Sequence, residues 1–269
     1  MRDTKENFST IEELSLSAMS RGISPGDLAR DFGIEWRGYD IVLTGDGIFH
    51  FFIGGREVRV PDSLLDISEI PRNLYDKNTK IVVIPDSVTS IGYRAFYMCT
   101  SLTSVTIPDS VTSIGEQAFF GCRGLTNVTI PGSMKSIGYD AFSDCRSLTS
   151  VMIPDGVTSI GGGAFSYCPS LKSVMIPDSV TRIGVVAFSD CRSLTSVTIP
   201  DSVKSIQDGV FYNCTGLTSV TIPDSVTDIG DHVFEGCSGL TSVTIPRRFG
   251  KKTKIIGIDQ NKTKVEFSS

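Results

Sequence analysis

The stretch Leu102–Cys122, LTSVTIPDSVTSIGEQAFFGC, decides the fold of this 269-residue chain. Nearly the same words begin again at Leu148, Leu171, Leu194 and Leu217. Three residue types share one constant step of 23 residues: prolines from Pro85 to Pro246, phenylalanines from Phe96 to Phe234, and cysteines from Cys99 to Cys237. A fixed repeat of this length is typical of a solenoid, in which each repeat stacks on the next.

The first half of each repeat predicts a short strand and a tight corner. Val105 and Ile107 alternate with polar neighbours, which is the period of a strand with one buried face. Pro108 ends the strand because it has no backbone N–H to donate. Asp109 and Ser110 then supply turn chemistry, since both side chains bond readily to nearby backbone.

The second half predicts an extended return followed by a short helical piece. Ala118, Phe119, Cys122 and Leu125 are spaced as residues on one helical face. A single repeat leaves this apolar surface uncovered and both strand edges unpaired. Stacking supplies the missing partners, so we expect residues 23 positions apart to lie over one another around a common interior.

The words LTSVTIPDSVTSIG and AFxxC, over residues 79–246, resemble the leucine-rich repeats of the BspA-like type. The resemblance implies an α/β solenoid: a right-handed stack with a parallel sheet on the concave side and short helical turns on the convex side. The asparagine ladder of commoner leucine-rich repeats is absent, and Pro-Asp-Ser occupies that corner. For function, the resemblance implies non-enzymatic protein binding or adhesion, with a host or neighbouring-cell surface protein as partner, at the cell surface or after secretion.

Three segments are expected. Residues 1–78 lack the repeat, and the patterns predict helices from Ser9 to Met19 and from Ser24 to Gly33, followed by a meander of hairpins. We interpret this segment as a small α+β cap or module. Residues 79–246 hold seven full repeats and a final strand, and residues 247–269 form basic capping strands. An anionic surface is the alternative partner of that basic tail.

Charge and hydropathy exclude two kinds of partner. The net charge is −5, and residues 81–246 hold 8 Lys/Arg against 14 Asp/Glu, so the body lacks the basic face that nucleic acid requires. No apolar run has the length of a membrane span, and the first residues do not have the pattern of a secretion signal. We expect a monomer, and leave open that the chain is part of an exported protein.

The seven cysteines are expected to be buried free thiols. Stacked equivalent residues have parallel Cβ vectors, which is poor geometry for a disulfide, and an odd number cannot pair fully. No C-x-x-C spacing indicates a metal site. The column of aspartates after the prolines could be bridged by a cation, but corner capping is the simpler interpretation.

The patterns give no catalytic, cofactor or metal site. Only His50 and His232 are present, and neither lies in a spacing typical of nucleophilic catalysis. The glycines around Ile160–Phe165 belong to a repeat turn rather than to a phosphate-binding loop. The chain is therefore predicted not to be an enzyme.

Departures from the repeat indicate two candidate protein-binding surfaces. Met152, Met175 and Lys172 interrupt a hydroxyl-rich, nearly uncharged sheet on neighbouring strands. On the helical edge, Arg146 and Arg192 share a column with Arg123, and aromatic residues that include Tyr167 lie nearby. The bland alternatives are drift between repeats and an ordinary solvated edge.

Three functions follow from these observations. The first is a binding or adhesion protein that meets a large partner along many repeats. The second is an enzyme or regulator whose activity lies in residues 1–78 and whose repeats direct it to a target. The third is an intracellular scaffold.

Overall fold

The structure is a computed structural model that describes residues 80–252 except 85 and 87, residues 256–268, and four strands before them. Three of those strands, β1 (Asp40–Leu43), β2 (Phe49–Ile53) and β3 (Arg56–Arg59), pair antiparallel in the order β1-β2-β3. They lie where the sequence predicts hairpins. The predicted helices from Ser9 to Met19 and from Ser24 to Gly33 lie outside the described residues, so the α+β character of this segment is not supported.

Two ladders of parallel strands form the rest. The first sheet contains three-residue strands at intervals of 23 residues and a final cap strand: β5 (Ile81–Val83), β7 (Ser104–Thr106), β9 (Asn127–Thr129), β11 (Ser150–Met152), β13 (Ser173–Met175), β15 (Ser196–Thr198), β17 (Ser219–Thr221), β19 (Ser242–Pro246) and β20 (Lys264–Ser268). The second contains two-residue strands: β4 (Glu69–Ile70), β6 (Ser90–Ile91), β8 (Ser113–Ile114), β10 (Ser136–Ile137), β12 (Ser159–Ile160), β14 (Arg182–Ile183), β16 (Ser205–Ile206) and β18 (Asp228–Ile229).

Residues 23 positions apart lie directly opposite one another in both sheets. Val151 pairs with Val174, and Ile160 pairs with Ile183. In each strand from β7 to β17 the middle residue is buried and its neighbours are exposed, as the alternating pattern predicts. The ladders are interrupted at one place, between β7 and β9 and between β8 and β10. Hydrogen bonds at the turns continue across that junction, for example from the Phe119 N–H to the Ala141 carbonyl at 2.8 Å.

The corner after each strand of the first sheet is a β-turn. The Val111 N–H bonds to the Pro108 carbonyl at 3.1 Å, and the same bond recurs in later repeats. The serine of Pro-Asp-Ser then joins adjacent repeats, because the Ser202 hydroxyl donates to the carbonyl of Val180 at 2.6 Å. Equivalent bonds come from Ser133, Ser179 and Ser225. This serine ladder takes the place of the absent asparagine ladder.

The predicted helical turns are wrong. The Phe120 N–H bonds back to the Gln117 carbonyl at 3.1 Å, whereas the Phe119 N–H bonds to Ala141 in the next repeat. Alternate N–H groups are thus used within the repeat and between repeats, which leaves no i→i−4 ladder for an α-helix. Gln117 and Gly121 also have positive φ, at 57° and 72°, which breaks a right-handed helix twice per repeat. Successive β-turns bury the same apolar residues instead.

Phenylalanines form the centre of the core. The seven rings from Phe96 to Phe234 are buried and stack in one column, with centroids 4.7 Å apart at the first pair and 5.8 Å apart at the last. This spacing grows beyond the ~4.8 Å between strands, so the repeats fan apart on the turn side. A wider turn side agrees with the concave placement of the first sheet. The right-handed winding stays a prediction.

The C-terminal segment covers the last repeat. A 3-10 helix, Arg247–Lys252, buries Phe249, and β20 pairs in parallel with β19 along five residues. Arg248 occupies the serine position of the final corner, and its guanidinium donates to the Val226 carbonyl at 2.6 Å. The last rung of the serine ladder is therefore completed by an arginine.

Candidate functional site

The first sheet presents hydroxyl groups, but one of its threonine columns is already occupied by bonds along the stack. The Thr149 hydroxyl donates to the Thr126 carbonyl at 3.2 Å, and the Thr218 hydroxyl donates to the Thr195 carbonyl at 3.2 Å. These threonines act between repeats, so their abundance has a structural cause. Lys172 replaces one member of this column, and its side chain is exposed.

The two methionines on this sheet lie side by side. Met152 and Met175 are directly opposite each other on β11 and β13. Their exposed fractions, 70% and 74%, are the largest among the exposed large apolar residues of the described chain. Met152, Met175 and Lys172 therefore form one patch, here called the sheet patch. Apart from the lysine it carries no charge.

A groove of about 220 Å³ lies on the turn side, and it brings together all three residues predicted for that edge. Its lining consists of Asp144, Arg146, Tyr167, Pro169, Asp190 and Arg192. Arg146 Nε donates to Asp144 at 2.7 Å, and Arg192 Nη2 donates to Asp190 at 2.9 Å. Both carboxylates are nearly buried, so they hold the guanidiniums in place.

The structure corrects the position of Tyr167. It does not share the column of Tyr97, Phe120 and Tyr212; its phase is that of Asp144 and Asp190, and all three residues have positive φ between 54° and 58°. Sequence reasoning also missed Pro169, which lines the groove. The signal was present, since Pro169 lies 23 residues after Arg146 and 23 before Arg192.

The cysteines are buried free thiols, as the pattern predicts. They are also hydrogen-bond donors: the Cys145 thiol donates to the Phe119 carbonyl at 3.3 Å, and five other cysteines make the equivalent bond. Burial raises the pKa of Cys145 well above its usual range, and the neighbouring thiols Cys122 and Cys168 raise it further. Burial likewise raises the pKa of Cys168 to about 12. Thiols held in the neutral form are poor nucleophiles and poor metal ligands.

The remaining chemistry of the described chain is sparse. Within it, no group of three His, Cys, Asp or Glu residues is arranged to hold a metal ion. His232 is exposed and pairs with Glu235, while the side chain of His50 lies outside the described residues. A second cavity, of about 190 Å³, lies beside the C-terminal cap and includes Cys237, Asp259 and Thr263. Among described residues, no helix has the length and hydropathy to cross a bilayer.

Two parallel ladders, 23-residue coils and a buried phenylalanine column define a solenoid repeat protein. A family model for the BspA type leucine rich repeat region, found in six copies, matches residues 68–194 and 183–256. The crystal structure of a Treponema pallidum leucine-rich repeat protein is 31% identical, with a TM-score of 0.61, covering 84% of this chain and 98% of that one. The chain belongs to the BspA-type leucine-rich repeat family.

Other similar structures also come from bacteria. A leucine-rich cell surface protein from Faecalibacterium prausnitzii is 23% identical, with a TM-score of 0.40, covering 87% of this chain and 94% of that one. A leucine-rich repeat protein from Eubacterium ventriosum is 21% identical, with a TM-score of 0.47, covering 78% and 74%. No curated protein matches the chain.

Proposed function

We propose that the chain is a non-enzymatic protein-binding protein, and that it contributes to adhesion by presenting its repeats to a protein on another cell or a host. The observation that carries the proposal is the sheet patch. Two adjacent methionines leave about three quarters of their surfaces in solvent at the middle of a regular sheet. Burying such side chains against a partner contributes roughly 1.5–3 kcal/mol each.

The surroundings of the sheet patch support a protein partner. The parallel strands repeat with one register from β9 to β19, which makes a long and regular platform. Methionine is unbranched and polarisable, and it adapts to varied apolar surfaces. Lys172 at the edge of the patch supplies one charge for orientation. The family, whose repeats form such platforms, agrees with binding rather than catalysis.

The test is capture of biotinylated cell-surface proteins by the immobilised chain. We expect a defined set of captured proteins, and we expect M152S/K172S/M175S to lose most of that set because the apolar contact is removed. T198A/T221A is the matched control, since both threonines occupy the methionine column on other strands. Equal capture by the triple variant would rule out the sheet patch, and capture no better than by bare beads would contradict the binding function itself.

A further inference from the structure

We propose that the turn-side groove between Arg146 and Arg192 binds an acidic peptide segment of a protein partner. This rests on the proposed binding function, but it uses a surface different from the sheet patch. The groove is lined by Asp144, Arg146, Tyr167, Pro169, Asp190 and Arg192. Three properties of these residues carry the inference: the break in the repeat that opens the groove, the fixed arginines and the local charge.

The groove exists because one repeat departs from its neighbours. The repeats on either side have Asp-Cys-Arg, at Asp144–Arg146 and at Asp190–Arg192. The repeat between them has Tyr167–Pro169, or Tyr-Cys-Pro, so it lacks both the carboxylate and the guanidinium of that position. A missing arginine side chain leaves room between the two that remain.

The two arginines are held ready for a ligand. Each Arg is bonded to its own Asp, and the backbone N–H of Asp144 and of Asp190 is tied to the following repeat at 2.9 and 2.8 Å. Fixing a side chain before binding lowers the entropy cost of association. Arg146 uses only Nε in the described contacts, so its two Nη groups face the groove without an acceptor among the described residues. Two parallel N–H donors match a carboxylate.

The charge of the cluster favours an anion. Arg123 shares Asp144 with Arg146, so three guanidiniums meet two carboxylates and leave one positive charge. This positive site lies on a body with more Asp and Glu than Lys and Arg. Arg146 and Arg192 lie two repeats apart, or ~10 Å, which corresponds to about three residues of an extended peptide. The exposed ring of Tyr167 lies between them and offers apolar contact to the peptide stem.

The experiment measures fluorescence anisotropy of a labelled octa-glutamate peptide with the full chain, using octa-serine as the uncharged probe. We expect octa-glutamate alone to bind, and R146Q/R192Q to weaken it by about tenfold or more, because two charge-assisted contacts are removed. R182Q is the matched control, since Arg182 is an exposed arginine on β14 outside the groove. Equal weakening by R182Q would reduce the effect to general attraction and overturn the proposal.

A second variant separates shape from charge. Y167D/P169R restores the Asp-Cys-Arg pattern of the neighbouring repeats and leaves the net charge unchanged, but it fills the groove. We expect this variant to fold and to lose the peptide. Undiminished binding by it, or no binding of octa-glutamate by the wild-type chain at millimolar concentration, would overturn the proposal. M152S/K172S/M175S should bind the peptide normally, so failure here leaves the function of the sheet patch untested by this assay and separately decided by capture.

Discussion

At the scale of single residues, the cysteine column shows how a small buried side chain serves two purposes. Each thiol fills the space behind a phenylalanine ring, and its S–H satisfies a backbone carbonyl of the preceding repeat, as between Cys168 and Phe142 at 3.3 Å. Serine would offer the same donor with less apolar volume, and alanine would offer no donor. This double fit accounts for cysteine at one position in seven successive repeats.

The thiols predict an alkaline limit to stability. Burial raises their pKa, so above the unfolded value of about 8.5 the unfolded chain releases protons that the folded chain keeps. Stability is therefore fully present below about pH 8.5 and declines as pH rises towards the folded value of about 12 for Cys168. The free energy of unfolding in urea should fall between pH 8 and pH 10, a range chosen around that ~8.5 value.

Cys168→Ala should reduce that slope by up to about 1.4 kcal/mol per pH unit, and it should also lower stability at neutral pH by about 1–2 kcal/mol through lost packing and hydrogen bonding. Val174→Ala is the control, because it truncates a buried side chain without removing a titratable group. An identical slope in the wild-type and Cys168→Ala chains would contradict the assigned role of burial.

At the scale of elements, the corner and the turns join the repeats to one another. The serine ladder runs beside the sheet, the threonine ladder runs along it, and alternate N–H groups of the turns bond to the following repeat. Each repeat is therefore bound to its neighbours around most of its circumference. Buried backbone carbonyls that lose such a donor cost about 1–3 kcal/mol.

Ser202 and Ser110 provide a matched test of this ladder. The Ser202 hydroxyl donates to the buried Val180 carbonyl at 2.6 Å, whereas the Ser110 hydroxyl is buried without a hydrogen-bond partner among the described residues. Ser202→Ala should lower the free energy of unfolding by about 1–3 kcal/mol, and Ser110→Ala should change it little or raise it. Urea denaturation measures both, and equal losses would show that the ladder bond is not the cause.

A glycine column sets how closely the turns approach. A Cβ on Gly161 would lie 2.7 Å from the Ile137 carbonyl oxygen, which is closer than normal contact. Gln207 is the exception at this position, and there the bond from its N–H to Ile183 lengthens to 3.3 Å, against 2.9 Å at Gly161. A side chain at this point thus loosens the contact between adjacent repeats.

At the scale of the whole molecule, the repeat length is the conserved geometric quantity of the stack. Val174 pairs with Val151 on one side and with Val197 on the other, so each buried residue has an equivalent above and below it. Stability in such an array is a sum of repeats and the interfaces between neighbours. A whole repeat is therefore removable, but part of one is not.

Deletion of residues 195–217 removes one full period and joins Leu194 to Thr218, as Leu194 is joined to Thr195 in the intact chain. We expect this variant to keep its β circular-dichroism spectrum and a cooperative transition, with a lower free energy of unfolding because one interface is lost. Deletion of residues 195–216 shifts the remaining strands by one residue and exchanges buried and exposed faces. That variant should not fold cooperatively, and equal behaviour of the two deletions would contradict the stacking register.

The sequence by itself determined the parts of this protein that depend on periodicity. A constant step placed Phe119 over Phe142 and Val151 beside Val174, because a buried column requires equivalent residues at equal intervals. The exposure of Met152 and Met175 followed from the same alternation. The family followed as well, because the repeated words are specific to it.

Only the tertiary structure decided what depends on competition between neighbouring repeats. The spacing of Ala118, Phe119 and Cys122 fits a helical face, yet the N–H groups there bond to the next repeat and the segment becomes successive turns. The groove at Tyr167 likewise required knowing where Arg146 and Arg192 point, since spacing along the chain records a column but not the space left when one of its side chains is missing. Local pattern describes one repeat, whereas these features arise from contacts that exist only between repeats.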